Sequence, residues 1–425
     1  IELPPIIRFE RQGGGKDAID RAAKLLSEAK FPVILSGAGV VIGNAIEDCK
    51  NLAEKLDAPV CNGYQHNDSF PGSHPLAVGP LGYNGSKAGM QLISKADVVL
   101  ALGTRLNPFS TLPGYGIDYW PKNAKIIQVD MNPDRIGLTK KVTVGICGDA
   151  KMVAQQILEK LSKNAGDIGR EERKNLIHQT KSAWLQTLTG LDHEEDDPGT
   201  VWNKEARNRD KDRMSPRQSW RAIQEAIPSD AIISSDIGNN CAIGNAYPTF
   251  EKGRKYLAPG LFGPCGYGFP SILGAKIGCP NTPVIGFAGD GAFGISMNEM
   301  SSCARKEWPA ITMVIFRNYQ WGAEKRNSIL WFDDNFVGTE LDPELSYAKV
   351  ANACGLKGVT VKTMEETTKA IKQSCEDQKK GITTFIEIIL NQELGEPFRR
   401  DAMKKPVQVA GIKKGDMRPQ ISEID

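Results

Sequence analysis

Apolar runs alternate with amphipathic stretches along most of the chain, and that alternation predicts an α/β fold. Residues 32–35 (Pro32-Val33-Ile34-Leu35), 96–102 and 125–130 read as buried strands. Gly37-Ala38-Gly39 reads as a turn and residues 45–56 as a helix. Further on, residues 231–236 read as a strand ending in an acid, 283–288 as a strand, 293–304 as a helix, and 311–316 and 384–389 as strands. Near-continuous apolar strands suit parallel sheets covered on both faces. The expected architecture is two doubly wound parallel-sheet domains, at about residues 16–165 and 216–395.

The stretch between them changes character. Asp167 to Lys174 is highly charged, Asp192-His193-Glu194-Glu195-Asp196-Asp197 is an acidic run closed by Pro198-Gly199, and residues 203–213 are polar with mixed charge. Residues 166–215 therefore read as helix plus solvated connection. Residues 396–425 form a tail containing Lys and Arg.

Composition narrows the class. At about 150 residues per domain, 425 residues make two to three domains. With 53 Lys+Arg against 51 Asp+Glu the net charge is +2, which gives no electrostatic footprint for nucleic acid. Hydrophobic residues at 40% and charged residues at 24% exclude global disorder. No apolar run reaches the roughly 18 residues of a membrane span. Nine scattered cysteines without a C-x-x-C pair indicate free thiols in a reduced, cytoplasmic setting. Four histidines make a zinc site a poor expectation. Ile1-Glu2-Leu3-Pro4-Pro5 has neither an initiator Met nor a signal-peptide pattern, so the chain reads as a fragment or a processed product.

Chemistry concentrates in Gly289-Asp290-Gly291-Ala292, followed at the end of the next strand by Asn318. In a parallel sheet both points lie at the carboxyl edge, where open α/β sheets bind ligands. An Asp and an Asn at neighbouring strand ends supply two hard oxygens to one Mg²⁺, with water and phosphate oxygens completing an octahedron. Gly291 and Ala292 open a helix whose N–H groups can face a phosphate. The plain alternative is a helix cap at Asp290 and a turn at Asn318. Two more strand-end segments stand out: Asp236-Ile237-Gly238-Asn239-Asn240 and Gly263-Pro264-Cys265-Gly266-Tyr267-Gly268. The second could equally be a glycine-rich turn for close helix packing.

These segments resemble the thiamine-diphosphate-dependent enzymes. The resemblance implies thiamine diphosphate and Mg²⁺ as cofactors. Metal ligands would be the Asp290 and Asn318 side chains and the Gln320 carbonyl. Tyr319 stands where the family usually has a second Asn. Gly263 would offer its carbonyl to the cofactor's 4′-amino group, and Cys265 would wedge the cofactor into its V shape. Asp236, Gly238, Asn239, Gly289, Gly291 and Ala292 would lie about the diphosphate. Residues 96–105 and 126–133 resemble the family's central, Rossmann-like domain. Gly37, Gly39 and Gly43 suggest a dinucleotide site, but the third glycine is misplaced for G-x-G-x-x-G.

Residues 63–68, 260–266, 317–327 and 393–405 narrow the likeness to the sulfoacetaldehyde acetyltransferases. These convert sulfoacetaldehyde and phosphate to acetyl phosphate and sulfite, with the cofactor as electron sink. Two anionic substrates call for forked cationic partners, and Lys325, Arg326, Arg399 and Arg400 are the candidates, with Trp321 as a pocket wall. Lys404 and Lys405 read as solvated charge, and His66 and His74 as structural histidines. The family implies a homodimer or homotetramer. It also implies an N-terminal domain whose Glu activates the aminopyrimidine. Residues 1–15 read as the linker leaving that domain, and no catalytic residue is assigned within the chain. The alternatives are an acetolactate synthase or 2-oxo-acid decarboxylase, a non-catalytic cofactor-binding fragment, and a nicotinamide dehydrogenase.

Overall fold

A computed structural model describes residues 10–190, 201–260, 262–305, 307–332 and 334–395. The linker, acidic-run and tail readings fall wholly or largely outside these residues.

Two six-stranded parallel sheets organise the chain. The first runs in the order β3-β2-β1-β4-β5-β6, with β1 Pro32–Ser36, β2 Val60–Asn62, β3 Ala77–Pro80, β4 Val98–Leu102, β5 Lys125–Asp130 and β6 Val144–Cys147. The second runs β11-β12-β10-β9-β7-β8, with β7 Ile232–Ser235, β8 Tyr256–Leu257, β9 Val284–Gly289, β10 Thr312–Arg317, β11 Lys357–Val361 and β12 Thr384–Ile389. Central strands β1, β4 and β10 are buried at every position, as expected for sheets covered on both faces.

The helix expected at residues 293–304 differs. It starts earlier, directly from β9, as Asp290–Ser296, and it breaks where Ser296 leaves helical geometry (φ −110°, ψ 9°) before a 3₁₀ turn at Met297–Glu299. The expected Gly37-Ala38-Gly39 turn is the start of a short helix, Ala38–Ile42. Here a Cβ on Gly39 would lie 2.7 Å from Gly103 Cα, so the chain crossing requires glycine.

Arg173 fastens the long helix Arg170–Gly190 to the first sheet's layer. Its buried guanidinium donates to the carbonyls of Lys30, Leu56, Asp57, Gly166 and Ile168 at 2.6–2.9 Å. The two sheet units meet through buried polar contacts. Asn67 Nδ2 donates to the carbonyls of Asn245 (2.9 Å) and Pro248 (2.8 Å), and Asp68 Oδ2 accepts from the Lys255 N–H at 2.9 Å. In the second unit Trp220 packs on Phe287 and Phe316 on one sheet face, while Phe269, Phe293 and Phe385 pack on the other. Among the described residues no helix is long and apolar enough to cross a membrane.

Candidate cofactor site

In the second sheet β7 lies between β8 and β9, so successive crossovers leave in opposite directions. A crevice opens at such a switch point, at the carboxyl ends of the strands. The residues singled out from the sequence converge there.

Asp236 follows β7 and is fully buried. Its Oδ1 accepts from the N–H groups of Ile237 (2.7 Å) and Gly266 (3.1 Å), and its Oδ2 from Gly268 N–H (2.6 Å). Burial pushes its pKa up, while these donors pull it back. The carboxylate thus pins the 263–268 turn to the strand end. Within that turn Gly263 (φ 67°) and Gly266 (φ 86°) are left-handed, the conformation that favours glycine. Cys265 is half-buried, and burial beside the charges of Asp236 and Glu324 raises its thiol pKa.

Asp290 is 1% exposed. Its Oδ1 accepts from Gly291 N–H (3.0 Å); its Oδ2 accepts from Tyr319 N–H (2.7 Å) and from Arg317 Nη1 (3.0 Å). Burial pushes its pKa up to about 6, against the opposing charge of Arg317. A carboxylate has about four acceptor positions, so one remains for another partner. Because both neighbours of Asn318 bond the same Asp290 oxygen, Asn318 is set beside that carboxylate. Its amide oxygen and nitrogen are both buried without a partner. Tyr319 takes a left-handed conformation (φ 62°), a cost for a bulky residue that is offset by its surroundings. Its ring is covered by the guanidiniums of Arg317 (4.2 Å) and Arg213 (4.8 Å).

Gln320 forms an antiparallel bridge with Glu340 in which the hydrogen bonds come from its neighbours, Leu341 N–H to Tyr319 O and Trp321 N–H to Thr339 O. The Gln320 N–H and C=O therefore face away from that strand. Its side-chain Oε1 is also buried without a partner. Unpartnered buried polar atoms cost about 1–3 kcal/mol each; here two are the amide atoms of Asn318, whose neighbours both bond Asp290, and a third is Gln320 Oε1, whose own Nε2 donates to Gln392 O at 3.1 Å. The Asp290 carboxylate, Asn318 Oδ1 and the Gln320 carbonyl are oxygens that fit a hard cation taking its remaining ligands from water and a diphosphate. Among the described residues no three His, Cys, Asp or Glu come together as a metal cluster.

Trp321 is half-buried over Gly291, where a Cβ would meet its indole at 2.8 Å. Lys325 and Arg326 are buried with partners in place. Lys325 pairs with Glu340 and lies 4.4 Å from the Trp202 ring centroid. Arg326 donates to Leu394 O at 2.8 Å and lies over Tyr83. Arg399 and Arg400 lie outside the described residues. Gly238 (φ 130°) and Asn239 follow β7, and Trp220 Nε1 holds the adjacent Asn240 carbonyl at 2.7 Å.

The sequence reading missed Arg317, which is fully buried. It reaches Asp290, the carbonyls of Asp342 and Leu345, and, at 3.9 Å, Glu387. A charged residue ending an otherwise apolar strand just before Asn318 was the available signal. A cavity of about 660 Å³ lies at the ends of β1, β4 and β5, lined by Gly39, His66, Thr104, Arg105 and Asn132 and, from the second unit, by Ala258 and Gly260. Gly43 there is engaged by Arg11, which donates to its carbonyl at 2.6 Å.

Fold and site together define a thiamine pyrophosphate enzyme. Residues 19–157 match the central domain of thiamine pyrophosphate enzymes, and residues 236–388 match their C-terminal TPP binding domain. A probable sulfoacetaldehyde acetyltransferase of Rhizobium meliloti is 77% identical, over 99% of this chain and 71% of its own length. A sulfoacetaldehyde acetyltransferase of Roseovarius nubinhibens is 73% identical, over 99% and 70%. A probable acetolactate synthase large subunit of Methanococcus aeolicus is only 28% identical, over 84% and 58%. The chain belongs to the sulfoacetaldehyde acetyltransferase family.

Proposed function

We propose that this chain acts in the conversion of sulfoacetaldehyde and phosphate to acetyl phosphate and sulfite, using thiamine diphosphate and Mg²⁺. The observation that carries the reading is the buried, unpartnered Asn318 amide, whose two chain neighbours both bond the buried Asp290 carboxylate. Bound cofactor supplies the electron sink for the carbon–sulfur cleavage. Asp290, Asn318 and the Gln320 carbonyl hold the metal. Asp236 fixes the turn that presents Gly263 and Cys265 to the aminopyrimidine side, and Gly238, Asn239, Gly289, Gly291 and Ala292 surround the diphosphate. Trp321 closes the wall above Gly291. The carboxylate that activates the aminopyrimidine is assigned to no residue here; the chain spans about 70% of the length of the curated relatives it matches.

Exposed Phe262 (92%), next to Gly263, and Ile295 (58%), against Gly266, place apolar surface at the mouth of the site, which supports a homodimer or homotetramer closing over it. Nine free thiols favour a reducing, cytoplasmic setting. The test is sulfite release from sulfoacetaldehyde with thiamine diphosphate and Mg²⁺, with and without phosphate, on this chain and on its full reading frame. Phosphate-dependent sulfite supports the reading. Turnover of pyruvate instead would replace it with an acetolactate synthase or decarboxylase activity.

A further inference from the structure

Tyr83 lies in the loop after β3, in the first sheet unit, yet its hydroxyl donates to Asn239 Oδ1 in the second, at 3.2 Å. Asn239 is 4% exposed, and its other amide atom, Nδ2, is buried with no partner. With Oδ1 held by Tyr83, the amide points its two N–H donors the other way. They lie against Gly322, where a Cβ would sit 3.2 Å from Asn239 Cβ and 3.7 Å from Nδ2. Gly322 closes the segment that begins at Asn318, so the free donors lie on the side of the metal-binding loop. A buried donor without an acceptor is costly, and an amide N–H is suited to a phosphate oxygen.

Tyr83 is itself tied down by the second unit. Its carbonyl accepts from Asn245 Nδ2 (3.3 Å), while Asn245 Oδ1 accepts from Gln65 N–H (3.2 Å). Asn245 is fully buried, so this bridge sets the loop's place rigidly. The Arg326 guanidinium lies 4.8 Å from the Tyr83 ring centroid and fixes its plane.

We propose that Tyr83 is a positioning residue: its hydroxyl, reaching across from the first sheet unit, orients the Asn239 amide so that Nδ2 donates to a diphosphate oxygen of the cofactor. This rests on the cofactor-site reading above. Domain docking then contributes directly to cofactor affinity, although the diphosphate itself is held by the second unit.

The test is a double-mutant cycle on equilibrium binding of thiamine diphosphate with Mg²⁺, followed by intrinsic tryptophan fluorescence, with urea unfolding of each ligand-free protein. Tyr83→Phe should weaken binding by about 3–10-fold, the worth of one oriented hydrogen bond, with little change in unfolding midpoint. Asn239→Ala should weaken it at least as much, and Tyr83→Phe should then add nothing. Wild-type affinity in Tyr83→Phe, or the same fold-loss in both backgrounds, overturns the positioning role. Failure of the wild-type chain to bind thiamine diphosphate would overturn the site reading itself, and the inference with it.

Discussion

Arg317 and Asp290 form an ion pair in which neither side chain is more than 1% exposed, with Nη1 3.0 Å from Oδ2. Arg317 Nη2 also donates to the carbonyls of Asp342 and Leu345, tying the loop before Tyr347 to the strand end. Removing one partner of a buried pair leaves an uncompensated charge, at a cost of about 3–5 kcal/mol. Arg317→Met should therefore lower stability by about that much, read as a drop in urea midpoint at unchanged m-value. A midpoint equal to wild type would show that Asp290 and Glu387 are satisfied without the guanidinium.

Asn318 predicts the opposite balance. Both its amide atoms are buried and unpartnered, so the ligand-free fold gains little from them. Asn318→Ala loses packing but also removes two unsatisfied groups, each costing about 1–3 kcal/mol. We expect ligand-free stability within about 1 kcal/mol of wild type, together with at least tenfold weaker Mg²⁺-dependent binding of thiamine diphosphate. Calorimetric titration alongside thermal unfolding separates the two effects. A strongly destabilised variant would mean that Asn318 serves the fold and not a ligand.

The long central strands were legible in the sequence because burial on both faces makes them continuous apolar runs; the 384–389 run became β12 without shift. Strands β2, β3, β6, β8 and β11 were not. They are short, or carry Gly, Pro or Lys, and only their neighbours in the sheet define them. Asp290 and Asn318 stood out in the sequence because they end adjacent strands, and the fold brings them together; Gln320 entered only through the family resemblance. Tyr83 did not stand out, because its meaning depends on Asn239 across a domain boundary, a contact no local spacing encodes. Lys325 has surroundings that its charge alone did not reveal. Its charge suggested an anion partner, and the fold pairs it with Glu340 under an aromatic cover of Trp202 and Phe336.

His66 makes stability depend on pH. Burial and the nearby Arg105 charge push its pKa down to about 4, against about 6.5 for a free imidazole. Between those values the unfolded chain takes up a proton that the folded chain does not. Its contribution is therefore intact above about pH 6.5 and is lost as pH falls towards 4. The loss is at most about 3 kcal/mol. His66→Gln should remove this part of the slope when urea midpoints are compared at pH 7 and pH 5. An identical slope in the variant would place the acid sensitivity elsewhere.

Gly291 and Trp321 are matched in shape. A Cβ on Gly291 would lie 2.8 Å from indole atoms Cδ2 and Cε3 of Trp321, closer than carbon atoms pack. In Gly291→Ala either the helix start or the indole must therefore shift, and overpacking of this kind costs about 1–3 kcal/mol. Moving the helix start would displace Asp290, the residue before it, from the Tyr319 N–H and Arg317. Moving the indole would leave Asp290 in place and expose Trp321. Fluorescence and cofactor affinity distinguish the two: a red-shifted emission with retained thiamine diphosphate binding means the indole yields, and unchanged emission with lost binding means the helix does. Trimming the indole should relieve either strain, so Trp321→Ala in the Gly291→Ala background should recover stability relative to Gly291→Ala alone. If the second substitution only adds to the loss, the contact between Gly291 and Trp321 is not what requires glycine at this position.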